Sequence, residues 1–281
     1  MSESTNPGPS SARRSSARPS RGLALVTGAS AGIGRELAWE FASHGFDLAV
    51  VARSADALEE LADEILREHR RAVHVLPRDL LAPGVPLELF DALEKEGLAV
   101  DVLVNNAGVM ELGSFTDTPI EVLERLVELN TRALTSMTRA FLPPMRQRGR
   151  GRILNVASVA GFQPVPAMAA YGATKAFVLS LSEALSEELS GTGVTVTALC
   201  PGVTDTDMME KARAASERVA WVPEFMTSNA REVARAGYEA CMAGRVIEVP
   251  GLGNRVLTDW SRFQPRWIVR SIGGLIGRRF L

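Results

Sequence analysis

Several protein classes are excluded by what this sequence lacks. Its formal net charge is only −2, with 31 Lys and Arg against 33 Asp and Glu, so the basic excess that marks a general nucleic-acid binder is missing and no such partner is expected. Cysteine is scarce: Cys200 and Cys241 stand far apart, with neither metal-ligand spacing nor a disulfide framework, and no metal site is expected. A reducing compartment fits that usage. No apolar run reaches the roughly 18 residues that a membrane-spanning helix needs. The N-terminal stretch lacks the apolar core of a secretory signal, and the GLALV run after the Arg13-Arg14 pair is too short for an export signal. A cytoplasmic location is therefore the expectation. Internal repeats and domain-splitting linkers are missing too.

What is present reads as one folded unit with an appendage at each end. Residues 1–21 are rich in Ser, Pro and Arg with almost nothing apolar, a composition that cannot offset the entropy of ordering and predicts a disordered tail. Across residues 22–251, short apolar runs (LALVTG, DLAVVA, VDVLVNNAG, RILNVAS, VTVTALCPG) alternate with amphipathic stretches such as GIGRELAWEFASHG and ADALEELADEILREH. That alternation predicts βαβ units around a parallel sheet buried on both faces. The expected fold is a single doubly wound α/β domain of Rossmann type, with six or seven strands and helices on both faces. Residues 252–281 form a separate basic and apolar extension.

The first strand runs directly into TGASAGIG, Thr27 to Gly34, and then into a helix. Glycines at that turn let a pyrophosphate approach backbone N–H groups at the positive end of the helix, so Gly28, Ser30, Gly32, Ile33 and Gly34 are candidate dinucleotide contacts. The spacing differs from G-x-G-x-x-G, and taken alone such a turn is as readily a tight connection. The second strand ends in VVARS. An acidic residue there would bind a ribose 2′-hydroxyl, whereas Arg53 favours a 2′-phosphate, so NADP(H) is preferred over NAD(H).

Further on, YGATK places Tyr171 and Lys175 four residues apart, on one face if the segment is helical. A tyrosine with its pKa at about 10 is a poor acid and base near neutrality, and Lys175 together with a nicotinamide's positive charge would lower it. Together with NNAG at Asn105 to Gly108, Asn130 in ELNTRAL, Ser158 in NVAS and PGVTDT, these motifs resemble the short-chain dehydrogenase/reductases across residues 22 to 250. The resemblance implies hydride transfer between a nicotinamide and a carbonyl or secondary alcohol. Tyr171 would be general acid and base, and Ser158 would hold the substrate oxygen. Lys175 would bind the nicotinamide ribose, and Asn130 would position a water in a proton relay. It also implies cofactor contacts at Asp79, Asn106, Gly108, Val203 and Thr204, with Pro201 and Gly202 shaping the nicotinamide pocket. A homodimer or homotetramer, paired through the helices of Asn130 and Tyr171, is implied as well.

In this family the substrate is chosen by the loop after Ser158 and by the segment after the PG turn. Here they offer Phe162, Val165, Met168, Met208, Met209, Trp221 and Phe225 with few fixed charges, which points to a hydrophobic or lipid-like small-molecule substrate. In the C-terminal extension six arginines (255, 262, 266, 270, 278 and 279) against Asp259 give a formal +5, with Trp260, Phe263, Trp267 and aliphatics between them. Such a segment either packs on its own domain or across a dimer, or lies on an anionic membrane. Both readings stay open, with packing ahead because Pro265 and Gly273-Gly274 break the pattern. From another functional class, a dinucleotide-binding regulator with little turnover is the alternative.

Overall fold

A computed structural model describes residues 19–205 and 227–277. Residues 1–18 of the expected tail lie outside this range, as do Met208, Met209, Trp221 and Phe225. Seven strands form the main sheet: β1 (Leu23–Thr27), β2 (Asp47–Ala52), β3 (Val73–Pro77), β4 (Val100–Asn105), β5 (Gly151–Val156), β6 (Val194–Leu199) and β9 (Ile247–Glu248). Their order is β3-β2-β1-β4-β5-β6-β9, and every neighbouring pair is parallel. The fold is the doubly wound, Rossmann-type arrangement expected from the alternation of runs. A short parallel pair, β7 (Val203–Asp205) with β8 (Thr227–Asn229), was not anticipated.

Successive residues on a strand point to opposite faces, and here both faces are covered. Ala24, Val26, Val50 and Val104 pack against Phe41, Leu61 and Tyr238. These come from α1 (Gly32–Ser43), α2 (Ala55–His69) and α7 (Ala230–Ala243). Leu23, Leu25, Leu103 and Ile153 pack the other way. They meet Leu89 of α3 (Val85–Lys95) and Met137 and Phe141 of α5 (Leu134–Gln147). On that same side, Val178 and Leu179 of α6 (Ala169–Glu188) join Ala198 and Cys200.

The long periodic segment from Pro119 is not one helix. It consists of α4 (Ile120–Val127), a π-helical turn over Glu128–Ala133 and then α5. Two helices end the described chain, α8 (Leu252–Phe263) and α9 (Arg266–Gly277).

Candidate active site

The strand order reverses between β1 and β4, and in such sheets a crevice opens beyond the carboxyl ends of the strands at that point. A cavity of about 540 Å³ lies there. At its head is the glycine turn. Gly28 adopts a left-handed φ of 66°, and a Cβ on Gly34 would land on Gly28 O and the Asn106 amide. Asn106 holds the turn in place by donating from Nδ2 to Thr27 O at 3.0 Å and Gly28 O at 3.2 Å. No side chain caps the start of α1, so its N–H groups remain available to an anionic ligand at the positive end of the helix. These features fit the pyrophosphate of a nicotinamide dinucleotide.

At the other side of the turn, Ala52 of β2 is in register with Pro77 of β3. Arg53 and Arg78 each follow by one residue, and both line the cavity. Arg78 Nη1 donates to Pro77 O at 2.9 Å. Sequence reasoning singled out Arg53 and missed Arg78, although an arginine one step past a strand end was a visible signal. Asp79 also lines the cavity, and its Oδ1 accepts from Leu81 N at 3.0 Å. That bond shapes the local turn and leaves the second carboxylate oxygen for another donor.

The candidate catalytic groups meet beside the ends of β5 and β6. Ser158 is buried and begins a 3-10 turn, with Oγ accepting from Ala160 N at 3.1 Å. Its hydroxyl shares a side-chain hydrogen bond with Tyr171. One helical turn along α6, the buried Lys175 donates from Nζ to Val156 O at 2.8 Å and sits 5.7 Å from the Tyr171 ring centroid. Gly161 keeps the helix close, since a Cβ there would come within 2.8 Å of Lys175 O.

In the protein alone, burial raises the Tyr171 phenol above its ordinary value of 10.0 and the Ser158 hydrogen bond opposes it, so the lowering expected from Lys175 together with the nicotinamide's charge does not come from Lys175 by itself. The reason is that desolvating a phenolate is costly, while the ammonium is engaged by Val156 O. Burial also pulls Lys175 down from 10.5 to about 8, with Cys200 acting in the opposite sense.

Asn130 lies in the π turn and is buried. Its Oδ1 accepts from Val109 N at 2.9 Å, and its Nδ2 donates to Val109 O at 2.9 Å and Thr174 Oγ1 at 3.1 Å. Thr174 Oγ1 in turn donates to Tyr171 O at 2.8 Å. This chain of bonds ties the loop after β4 to the helix that carries the tyrosine. Both amide hydrogens of Asn130 are used in these bonds. Thr174 was not singled out from the sequence.

Of the residues named in advance, Gly28, Ser30, Gly32, Ile33, Arg53, Asp79, Asn106, Gly108, Ser158, Tyr171, Lys175, Val203 and Thr204 all line the one cavity. Gly34 and Asn130 stand behind it. Val165 and Met168 line the substrate end, joined by Met110, Leu112 and Leu129. Phe162 does not; it packs against the core beside α6. Two polar side chains missed in the sequence, Arg125 and Gln163, also border this region.

The family described as short chain dehydrogenase matches residues 22–217. A short chain dehydrogenase of the fungus Pseudocercospora fijiensis is 38% identical over 187 residues, a match spanning 66% of this chain and 60% of the length of that protein. Among solved structures, a short-chain dehydrogenase from Sphingobium yanoikuyae in complex with NADPH is 36% identical, with a TM-score of 0.77 over 91% of this chain and 94% of the other. A bulky-bulky ketone specific alcohol dehydrogenase from Comamonas testosteroni is 32% identical, with a TM-score of 0.74 over 87% and 93% of the two chains.

Proposed function

The chain belongs to the short-chain dehydrogenase/reductase family, and from that premise we propose an NADP(H)-dependent oxidoreductase that interconverts a bulky apolar ketone and its secondary alcohol. The observation that carries this reading is the Ser158–Tyr171 hydroxyl pair, set in a cavity that continues without a break to the glycine turn. When bound, the nicotinamide supplies or accepts the hydride. The chain's own residues do the rest. Ser158 and Tyr171 hold the substrate oxygen between two hydroxyls, and Tyr171 moves the proton. Lys175 anchors the nicotinamide end, and the Asn130–Thr174 chain fixes the tyrosine's helix.

Met110, Leu112, Leu129, Val165 and Met168 support a hydrophobic, lipid-like substrate, as does the similarity to the bulky-bulky ketone specific alcohol dehydrogenase of Comamonas testosteroni. The test is NADPH oxidation against a panel of such ketones. Turnover of at least one is expected, and tight NADPH binding with no turnover of any would leave only a binding protein.

Arg53 and Arg78 support preference for the 2′-phosphate. A charge-assisted hydrogen bond contributes roughly 1.5–3 kcal/mol. The Arg53→Ala/Arg78→Ala double variant is therefore expected to lose about 10- to 100-fold or more in NADPH affinity and little in NADH affinity. Equal losses for the two cofactors, measured by fluorescence titration, would contradict the assignment.

Exposed Val127 on α4 and Phe177 on α6 support pairing of two copies through these helices. No described helix is long and apolar enough to cross a membrane.

A further inference from the structure

A surface helix ordinarily turns its apolar stripe inward and its polar side to water. In α8 the order is reversed. The side facing the domain is polar: Thr258 is only 3% exposed, and Asn254 Nδ2 donates to Pro250 O at 3.0 Å. Arg255 pairs with the buried Glu248 at 3.0 Å. On the outer side, Leu252 is 82% exposed, Val256 69%, Trp260 41% and Phe263 85%. These four stand at i, i+4, i+8 and i+11, one continuous stripe. Beyond Pro265, in α9, Trp267 is also 63% exposed, between the exposed Arg266 and Arg270.

Charge identifies what covers this face. Residues 252–281 contain six arginines and one aspartate, +5, whereas residues 22–251 contain 21 basic and 31 acidic residues, −10. An anionic surface attracts the first and repels the second, which orients the molecule extension-first. A two-fold contact between copies through the same face would bring the two sets of arginines together.

We propose that α8 and the start of α9 are a docking surface for an anionic phospholipid bilayer. The outward Leu252, Val256, Trp260, Phe263 and Trp267 enter the headgroup boundary, and the exposed Arg266 and Arg270 engage lipid phosphates. The surface adjoins the cleft. The Asn254 side chain lies so close on Gly202 that a Cβ there would collide with it, and Pro201 and Gly202 line the cavity. Docking therefore places one wall of the cavity next to the membrane, from which an apolar ketone can enter. Only this last consequence rests on the proposed reaction; the docking does not.

The experiment uses the full chain and sedimentation with vesicles of mixed phosphatidylglycerol and phosphatidylcholine, with phosphatidylcholine vesicles as comparison. Binding to the anionic vesicles, weakened by salt, is expected. Trp260→Ser/Phe263→Ser and Arg266→Ser/Arg270→Ser are each expected to weaken it by about tenfold or more. Thermal unfolding identifies variants that fold, and ketone reduction in solution is expected to be unchanged in them. Failed reduction by the unaltered protein would count against the reaction and not against the docking. The proposal is overturned if the unaltered protein stays in the supernatant, or if binding survives the apolar substitutions. It also falls if Trp260→Ser/Phe263→Ser changes the oligomeric state in sedimentation velocity, because the face then joins copies of the chain.

Discussion

Tyr171→Phe is expected to lower kcat/KM for ketone reduction by about 10³-fold while leaving NADPH affinity within about twofold. The substitution removes one hydroxyl and keeps the ring. Ser158 loses a partner but keeps its bonds to Ala160 N and Pro201 O, so the cavity wall is retained. Lys175 keeps Val156 O. What disappears is the proton that must reach the substrate oxygen as hydride arrives. Position-specific general acid catalysis contributes about 10²- to 10⁴-fold, and the phenol is the acidic group placed beside Ser158. Because burial holds the phenol above 10.0, its donor form is present throughout the neutral range. A variant retaining more than about a tenth of the activity would remove Tyr171 from this role. Single-turnover kinetics with saturating NADPH separate that result from weakened binding.

How much of this was legible in the sequence depended on whether the information was local. Parallel strands buried on both faces must be apolar at consecutive positions, so LALVTG and VDVLVNNAG each marked a strand without fixing its end, and the glycine turn followed from the strand-to-helix junction. The π turn was hidden. Leu126, Asn130 and Ala133 keep a nearly helical spacing through it, and one widened turn leaves little trace in a periodic pattern. The Asn130 clamp on Val109 joins elements 21 residues apart and is set by tertiary packing. Arg78 gained meaning only when β3 was seen beside β2. Likewise the stripe of α8 was readable, but its direction was not, because periodicity reports that a helix has two sides and not which one faces the domain. The Tyr171 shift has the same origin: spacing placed a cation nearby, whereas the desolvation that raises the phenol in the protein alone belongs to the folded chain.

Lys175→Met is expected to abolish most activity and yet raise the melting temperature. Lys175 is 6% exposed, and burial lowers the pKa of its ammonium from 10.5 to about 8. At pH 7 the folded protein thus keeps a cation that its surroundings disfavour. That difference of about 2.5 units corresponds to roughly 3 kcal/mol of destabilisation. Methionine removes the charge with similar length but gives up the hydrogen bond to Val156 O, worth about 1 kcal/mol. The net gain of about 2 kcal/mol corresponds to a rise of roughly 4–8 °C for a domain of this size. The pH dependence fixes the cause. Below about 8 both folded and unfolded lysine are protonated, and the full penalty applies. Between about 8 and 10.5 the unfolded chain binds more protons than the folded one, so the unaltered protein gains stability with rising pH and the variant does not. Its advantage is therefore expected to be present at pH 7 and nearly gone at about pH 10. Melting curves at the two values decide the matter: a variant less stable at both would show that the Val156 bond outweighs the buried charge. The expected pattern instead describes a site that holds a cation against its own stability, in the position where the reaction requires it.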